Sequence, residues 1–222
     1  MDLWLICRAE SEALARGLVE GGRDWPLTDR GREQAARLAE RLAHIRRIGV
    51  LYSSPSRSAW ETAGYIGRTL GLAVRPEDDL REVNCGRLGG RPLEEARREA
   101  PGLFPPGSDI FSPFPEGESY AEMHVRVVRA VNRIVDEAGE EPVAVVTYPG
   151  PIHAFLLAFL RYAIEQRAEL GLGCDPASLH HLRRGPEGRK EIVCLNDTAH
   201  LVAPGTIRKL SATGGHDALE QG

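Results

Sequence analysis

Three short apolar runs frame the chain: residues 2 to 7 (DLWLIC), 49 to 53 (GVLYS) and 142 to 148 (PVAVVTY). Each is β-branched or aromatic and nearly continuous, the pattern of strands buried on both faces. Between the first two lies LTDRGREQAARLAERLAHI, where Thr28 can cap a helix whose apolar stripe is Ala35, Leu38, Ala39 and Leu42. After SSPSRS, a second helix carries Ala59, Ala63, Ile66 and Leu70 until Gly71 ends it, with a short strand near residues 73 to 75. Ser119 and Glu122 form a capping box that opens a third helix with Met123, Val127, Ala130, Val131 and Ile134 inward. Beyond the strand ending at Tyr148, Pro151 stands where a first helical residue is expected, and Ile152, Phe155, Leu156, Phe159 and Leu160 bury the helix. Further strands are expected at 177 to 183 and 190 to 195.

This alternation predicts an α/β fold: a three-layer, doubly wound, mostly parallel sheet with helices on both faces. One domain spans 1 to 203, and 204 to 222 forms a polar C-terminal tail. Residues 101 to 117 (PGLFPPGSDIFSPFPEG) are too rich in Pro, Gly and Ser for a simple connection and predict an irregular excursion that shapes a pocket lid.

Composition narrows the functional classes. At 222 residues, 42% hydrophobic and 27% charged, the chain suits one well-buried domain. A net charge of −4 and scattered arginine pairs (Arg46 and Arg47, Arg97 and Arg98, Arg183 and Arg184) provide no basic field, so no nucleic-acid partner is expected. No apolar run approaches the roughly 18 residues of a membrane span, so the expectation is a cytoplasmic protein with no membrane partner. Cys7, Cys85, Cys174 and Cys194 lack CxxC spacing and are read as reduced thiols. His180 and His181 fall on opposite faces of a strand, so no metal site is expected, and no cofactor is implied.

In such sheets ligands bind beyond the carboxyl ends of the strands, which selects the loops at 7 to 11, 53 to 58 and 147 to 151. The first reads CRAES. Cys7 beside Arg8 could be an activated thiol, but with no histidine adjacent in sequence the reading is a small buried strand residue. Arg8 and Arg57 could hold an anion or pair with Glu10 or Glu82. His153, in the first turn after YPGP, could be a relocated base or a satisfied histidine at a helix start. Asn84 and Cys85 follow Glu82 near the same loops.

Six phrases in order resemble the histidine phosphatase superfamily, the phosphoglycerate-mutase-like group: PLTDRGREQA at 26 to 35, SSP at 53 to 55 with ETA at 61 to 63, LRE at 80 to 82, PEGES at 115 to 119, and NDTAHL at 196 to 201, which makes His200 structural. The resemblance runs from residue 3 to about 201 and implies that family's fold. It implies less about activity. Where the family reads RHGE, with the histidine accepting the phosphoryl group, this chain reads CRAE, so Arg8 stands in the histidine position and Cys7 in the arginine position. The family's pocket asparagine falls on Leu14, its SSPLxRA arginine on Ser58, with Arg57 one place early, and its second histidine on Tyr148. Glu82, the family's frequent proton donor, survives alongside Glu10.

A guanidinium remains protonated to above about pH 12 and has no lone pair to attack phosphorus. Tyr148 can donate a hydrogen bond but brings no positive charge. Three functions remain open: a non-catalytic fold binding a small anionic ligand or partner, through a pocket of Arg8, Glu10, Arg57, Ser58, Glu82 and Tyr148; an enzyme of changed chemistry using Glu82, Tyr148, Cys7 or His153; and a weak phosphomonoesterase. The first is preferred. A second copy of the chain is a further partner left open. A buried Arg8 needs a carboxylate, expected to be Glu82 or Glu10, which would plug the pocket.

Overall fold

The computed structural model describes residues 1–45, 48–104 and 108–202. Six strands form one sheet in the order β3-β2-β4-β1-β5-β6: β1 (Asp2–Cys7), β2 (Val50–Ser53), β3 (Val74–Pro76), β4 (Val143–Thr147), β5 (Leu179–Arg184) and β6 (Lys190–Asp197). The first four in that order are parallel neighbours, whereas β5 and β6 add antiparallel edges. The helices are α1 (Glu12–Ala15), α2 (Asp29–His44), α3 (Arg57–Leu70), α4 (Leu93–Glu99), α5 (Tyr120–Ala138) and α6 (Pro149–Leu160). The three-layer, mostly parallel architecture is the expected one. Its polar tail, from 204 onward, lies outside the described residues.

Side-chain alternation divides the core in two. Leu3, Leu5 and Cys7 of β1 pack with Val127, Val131, Ile152 and Phe155 of α5 and α6 on one face. Trp4 and Ile6 pack with Leu38, Leu42, Ala63 and Ile66 of α2 and α3 on the other. Because β1 and β4 carry helices on both sides, their buried positions form continuous apolar runs rather than alternating ones.

The helix starts follow the sequence chemistry. Thr28 accepts from the Gly31 amide at 2.9 Å, and the Ser119–Glu122 capping box is complete. Gly71 ends α3 in the left-handed region. One start is displaced: α6 begins at Pro149, not Pro151, with Tyr148 as the extended residue before it. Proline fits either first-turn position, so composition could not choose between them. Leu160 is exposed rather than buried, because the helix ends there and the chain turns away. α4 and the single turns at Glu12–Ala15 and Ile164–Glu169 were not predicted; they are too short for a helical period to show. Strands β5 and β6 begin or end two residues from the expected bounds.

The excursion over 101 to 117 is irregular as read, with residues 105–107 outside the described set. It is anchored by buried Phe104, Ile110 and Phe114; the Phe114 ring meets those of Phe104 and Tyr120 edge to face.

The β1 end is fastened to α2 by close backbone contact. The Glu10 carbonyl receives the Thr28 amide at 3.1 Å, and a Cβ on Gly31 would collide with that same carbonyl oxygen. Gly31→Ala should therefore lower stability by about 2 kcal/mol or more, a shift of several degrees in thermal melts followed by circular dichroism, with a two-state transition retained.

Candidate active-site cleft

Strands β1, β2 and β4 end side by side, and the loops leaving them meet above the sheet. Arg8 leaves β1 with its amide on the Thr147 carbonyl at 2.8 Å and its carbonyl holding the Ala177 amide at 3.1 Å. The next amide, Ala9, donates to Thr62 Oγ1 at 3.1 Å. The loop is thus fixed from three sides. Its side chain is 2% exposed.

The buried guanidinium has a partner in Glu20. Nε donates to Glu20 Oε1 at 3.1 Å and Nη2 to Oε2, giving a two-point pair. Ser11 Oγ adds a third bond to the same carboxylate at 2.5 Å. Burial opposes the charged guanidinium, yet the Glu20 carboxylate more than offsets it and keeps Arg8 above its ordinary pKa. Tyr148 lies beside the pair, its ring centre 5.8 Å from the guanidinium carbon.

Tyr148 and Ser58 are both buried, with hydroxyls 3.0 Å apart. Burial pushes the Tyr148 phenol up to about 12, against a smaller opposing effect of the Ser58 bond, so at neutral pH it is a donor without charge. Glu82 reaches α6 from the other wall. Its carboxylate accepts from the Val83 amide at 2.8 Å and the Gly150 amide at 3.0 Å. A Cβ at Gly150 would strike it. Desolvation nevertheless holds Glu82 above the usual carboxylate range, outweighing those two amides and helped by the nearby Glu20 charge.

These groups border a cleft of ≈ 440 Å³ whose walls include Glu20, Arg23, Ser56, Arg81, Glu82 and Tyr148. Arg81 donates to Ser56 Oγ at 2.9 Å and to Asp78 at 3.1 Å. Arg126 is consumed by Glu118 and by the carbonyls of Asp79, Arg81 and Glu82. Arg23 has no ion pair among the described residues. No imidazole lines the cleft.

The sequence-derived candidates separate into groups. Glu82 and Tyr148 line the cleft, and Arg8 and Ser58 lie directly beneath it. Glu10 and Arg57 do not line it: Glu10 accepts from Thr28 Oγ1 at 2.8 Å and faces Arg30, while the exposed Arg57 pairs with Glu61 one turn along α3. Cys7 points the other way, into the core under α5 and α6, against which Cys174 also packs. Parity dictates this, since Cys7 and Arg8 are consecutive at a strand end. His153 opens onto a different cavity on the far side of α6, and Cys85 is buried. Asn84 does reach the cleft. His180 is buried between Ser178 and Asn196, while His181 stacks on Trp4 at 3.7 Å and bonds Asp2.

The expected plug is present, but with a corrected partner: Arg8 pairs with Glu20, not Glu82 or Glu10. Glu82 is already held by α6, and Glu10 is held by Thr28. Sequence reasoning missed Glu20, together with Ser11, Arg23 and Arg81. Glu20 sits in a loop with no periodic or motif signal, and only the return of residues 16 to 20 past β1 brings it to Arg8.

The profile of the histidine phosphatase superfamily (branch 1) matches residues 3–198, and the chain belongs to that superfamily. It is 32% identical over 205 residues to phosphoserine phosphatase 1 of Hydrogenobacter thermophilus, covering 90% of this chain and 94% of the relative. It is 34% identical over 158 residues to phosphoglycerate mutase-like protein 4 of Arabidopsis thaliana, covering 69% and 68% respectively. Among solved structures, YhfR of Bacillus stearothermophilus superposes with a TM-score of 0.80 at 25% identity, over 90% of this chain and 99% of the other. A mycobacterial glucosyl-3-phosphoglycerate phosphatase in complex with VO3 superposes with a TM-score of 0.77 at 25% identity, over 88% and 98%.

The Arg8–Glu20 pair makes a stability prediction. Glu20→Ala strands a buried cation and should cost about 3–5 kcal/mol, whereas Arg8→Met with Glu20→Ala should recover much of that loss. Urea unfolding of the single and double variants measures the coupling, and strictly additive losses would show that the two side chains do not depend on each other.

Proposed function

We propose that this chain is a histidine-phosphatase fold without phosphohistidine catalysis, whose remodelled cleft binds a small ligand with an anionic group. One observation carries the reading: the side chain at the position of the family's phosphoryl acceptor is a buried guanidinium locked to Glu20. It has neither a lone pair for phosphorus nor a free charge for a phosphate. Its opposite number, Tyr148, is a neutral phenol bonded to Ser58. The deep part of the pocket is filled from within the chain.

What is left for a ligand is the rim. Arg23 and Arg81 offer cationic donors there, and Glu82 offers an acceptor, or a proton, on the opposite wall. A molecule with an anionic group toward the arginines and a hydrogen-bond donor toward Glu82 fits this arrangement. The absence of a basic field makes nucleic acid a poor occupant. No helix among the described residues is long and apolar enough to cross a membrane, and the four free cysteines fit a reducing compartment such as the cytoplasm.

A second reading, slow phosphomonoester hydrolysis by direct attack of water, is favoured by the raised pKa of Glu82, which suits a general acid, and by the phosphatase names of its relatives. It lacks a nucleophile-activating base in the cleft and a free cationic clamp at its floor.

Labelling separates the two readings. Incubation with 32P-labelled phosphoserine, quenched under alkaline conditions that preserve phosphohistidine, should leave the protein unlabelled, and p-nitrophenyl phosphate should not turn over above buffer. A phosphohistidine mapped to any cleft residue would overturn the proposal, and steady unlabelled turnover lost in Glu82→Gln would establish the second reading instead. Arg8→His alone should stay far below an active relative, since Ser58 and Tyr148 leave a phosphate unclamped; recovery to within about tenfold would count against it. For binding, Arg81→Ala should weaken inorganic phosphate about tenfold or more in titration calorimetry, and unchanged affinity would exclude the rim.

A further inference from the structure

On the far side of α6 from the cleft, three polar side chains that line one cavity each keep a buried nitrogen with no hydrogen-bond partner among the described residues. His124 lies one turn along α5 from Tyr120, and His153 lies one turn along α6 from Gly150. The turn Ile164–Glu169 brings Arg167 over them, its guanidinium carbon 3.9 Å from the centre of the Tyr120 ring. With Met123, Ala154 and Leu157 these half-buried residues line a partly open cavity with room for about one water-sized sphere. His124 Nδ1, His153 Nε2 and Arg167 Nη1 are shut off from solvent and have no hydrogen-bond partner among the described residues. Buried polar atoms of this kind are rare in folded proteins, and each is costly unless a bound group satisfies it.

The chemistry selects the occupant. Arg167 has no carboxylate within ion-pair distance among the described residues, so the cavity holds a net positive charge that repels metal cations. A phosphate or sulfate exceeds a single-sphere volume. A water would satisfy the hydrogen bonds but leave the guanidinium without a counter-ion. We propose that His124, His153 and Arg167 form a proton-coupled binding site for a monatomic anion, a halide such as chloride.

The coupling follows from imidazole valence. A neutral ring has one N–H and one lone pair, whereas an anion requires N–H groups on every side, so anion and proton enter together. Burial first, and then the Arg167 charge, hold His153 down at about 4 and His124 below its ordinary value. A hydrogen bond with the Leu170 backbone opposes this at His153, and Glu165 opposes it at His124. Tyr120, pushed up to about 12, remains neutral, and the Glu82 carboxylate lies across Gly150. Without an anion the folded protein takes up fewer protons here than the unfolded chain, so stability falls as pH drops from about 6.5 toward 4. A halide among the three cations raises the folded pKa values and offsets the loss in that window.

The test uses the full chain. In melts at pH 5 and pH 8, with chloride exchanged for gluconate at equal ionic strength, chloride at ten times its Kd should raise the Tm by about 3 °C at pH 5 and by much less at pH 8. Arg167→Met and His153→Phe should each abolish the gain. An equal gain at both pH values, or the same gain in folded variants, would overturn the site. Crystals of the unaltered protein grown in bromide at pH 5 decide independently of variant folding: an anomalous peak between the three side chains supports the proposal, and a water or no density there refutes it.

Discussion

A guanidinium at the end of a central strand cannot be taken out of water without a counter-charge, and much of this cleft follows from how that requirement is met. Arg8 emerges where β1 and β4 end together, with its backbone tied to Thr147, Ala177 and Thr62, so the side chain has no route to solvent. The residue 12 to 20 loop has to return across the strand end to deliver Glu20. Ser11, itself the cap of the short α1 turn, then completes the carboxylate's bonding. The pair is two-pointed, with Arg8 buried and Glu20 partly exposed on the cleft wall, so the buried charge is met by the partner that borders solvent.

The same strand ends tie the walls of the cleft to the sheet. Thr147 Oγ1 bonds the Leu80 carbonyl, and Glu82 receives the α6 amide at Gly150. A helix N-terminus normally favours a carboxylate anion. Here desolvation is the larger effect, so Glu82 remains harder to ionise than an exposed glutamate. The cleft floor consequently carries a matched ion pair, a neutral phenol and one reluctant acid.

Helix α6 divides two polar environments. Tyr148 before its first turn faces the cleft and the Gly150 amide bonds the Glu82 wall, whereas His153 faces away toward α5 and Arg167. Tyr120 sits between, packed against Phe114 of the irregular excursion on one side and under Arg167 on the other. Charge introduced on either side of α6 is therefore separated from the other by little more than one helix turn and one aromatic ring.

The sequence by itself determined the frame. Continuous apolar runs, helical stripes and capping residues are local signals, and they located the four parallel strands and the long helices, with Thr28, Ser119 and Gly71 closing the ends as read. The strings that carry Arg8 and Tyr148 were equally legible, because a motif is local, and their match to the family's histidine positions is what the resemblance implies. Contacts between loops are not. Whether Arg8 would meet Glu20, Glu10 or Glu82 depends on which carboxylate is already committed, and that was decided by Thr28 and by the amide of Gly150, both distant in sequence. Cys7 and His153 were weighed as cleft residues because they neighbour it along the chain, with a buried strand residue the reading of Cys7. Strand parity turned the first into the core, and the 100° step per helical residue turned the second to the opposite side of α6. Local chemistry specifies the elements; only their packing settles which buried charge finds which partner.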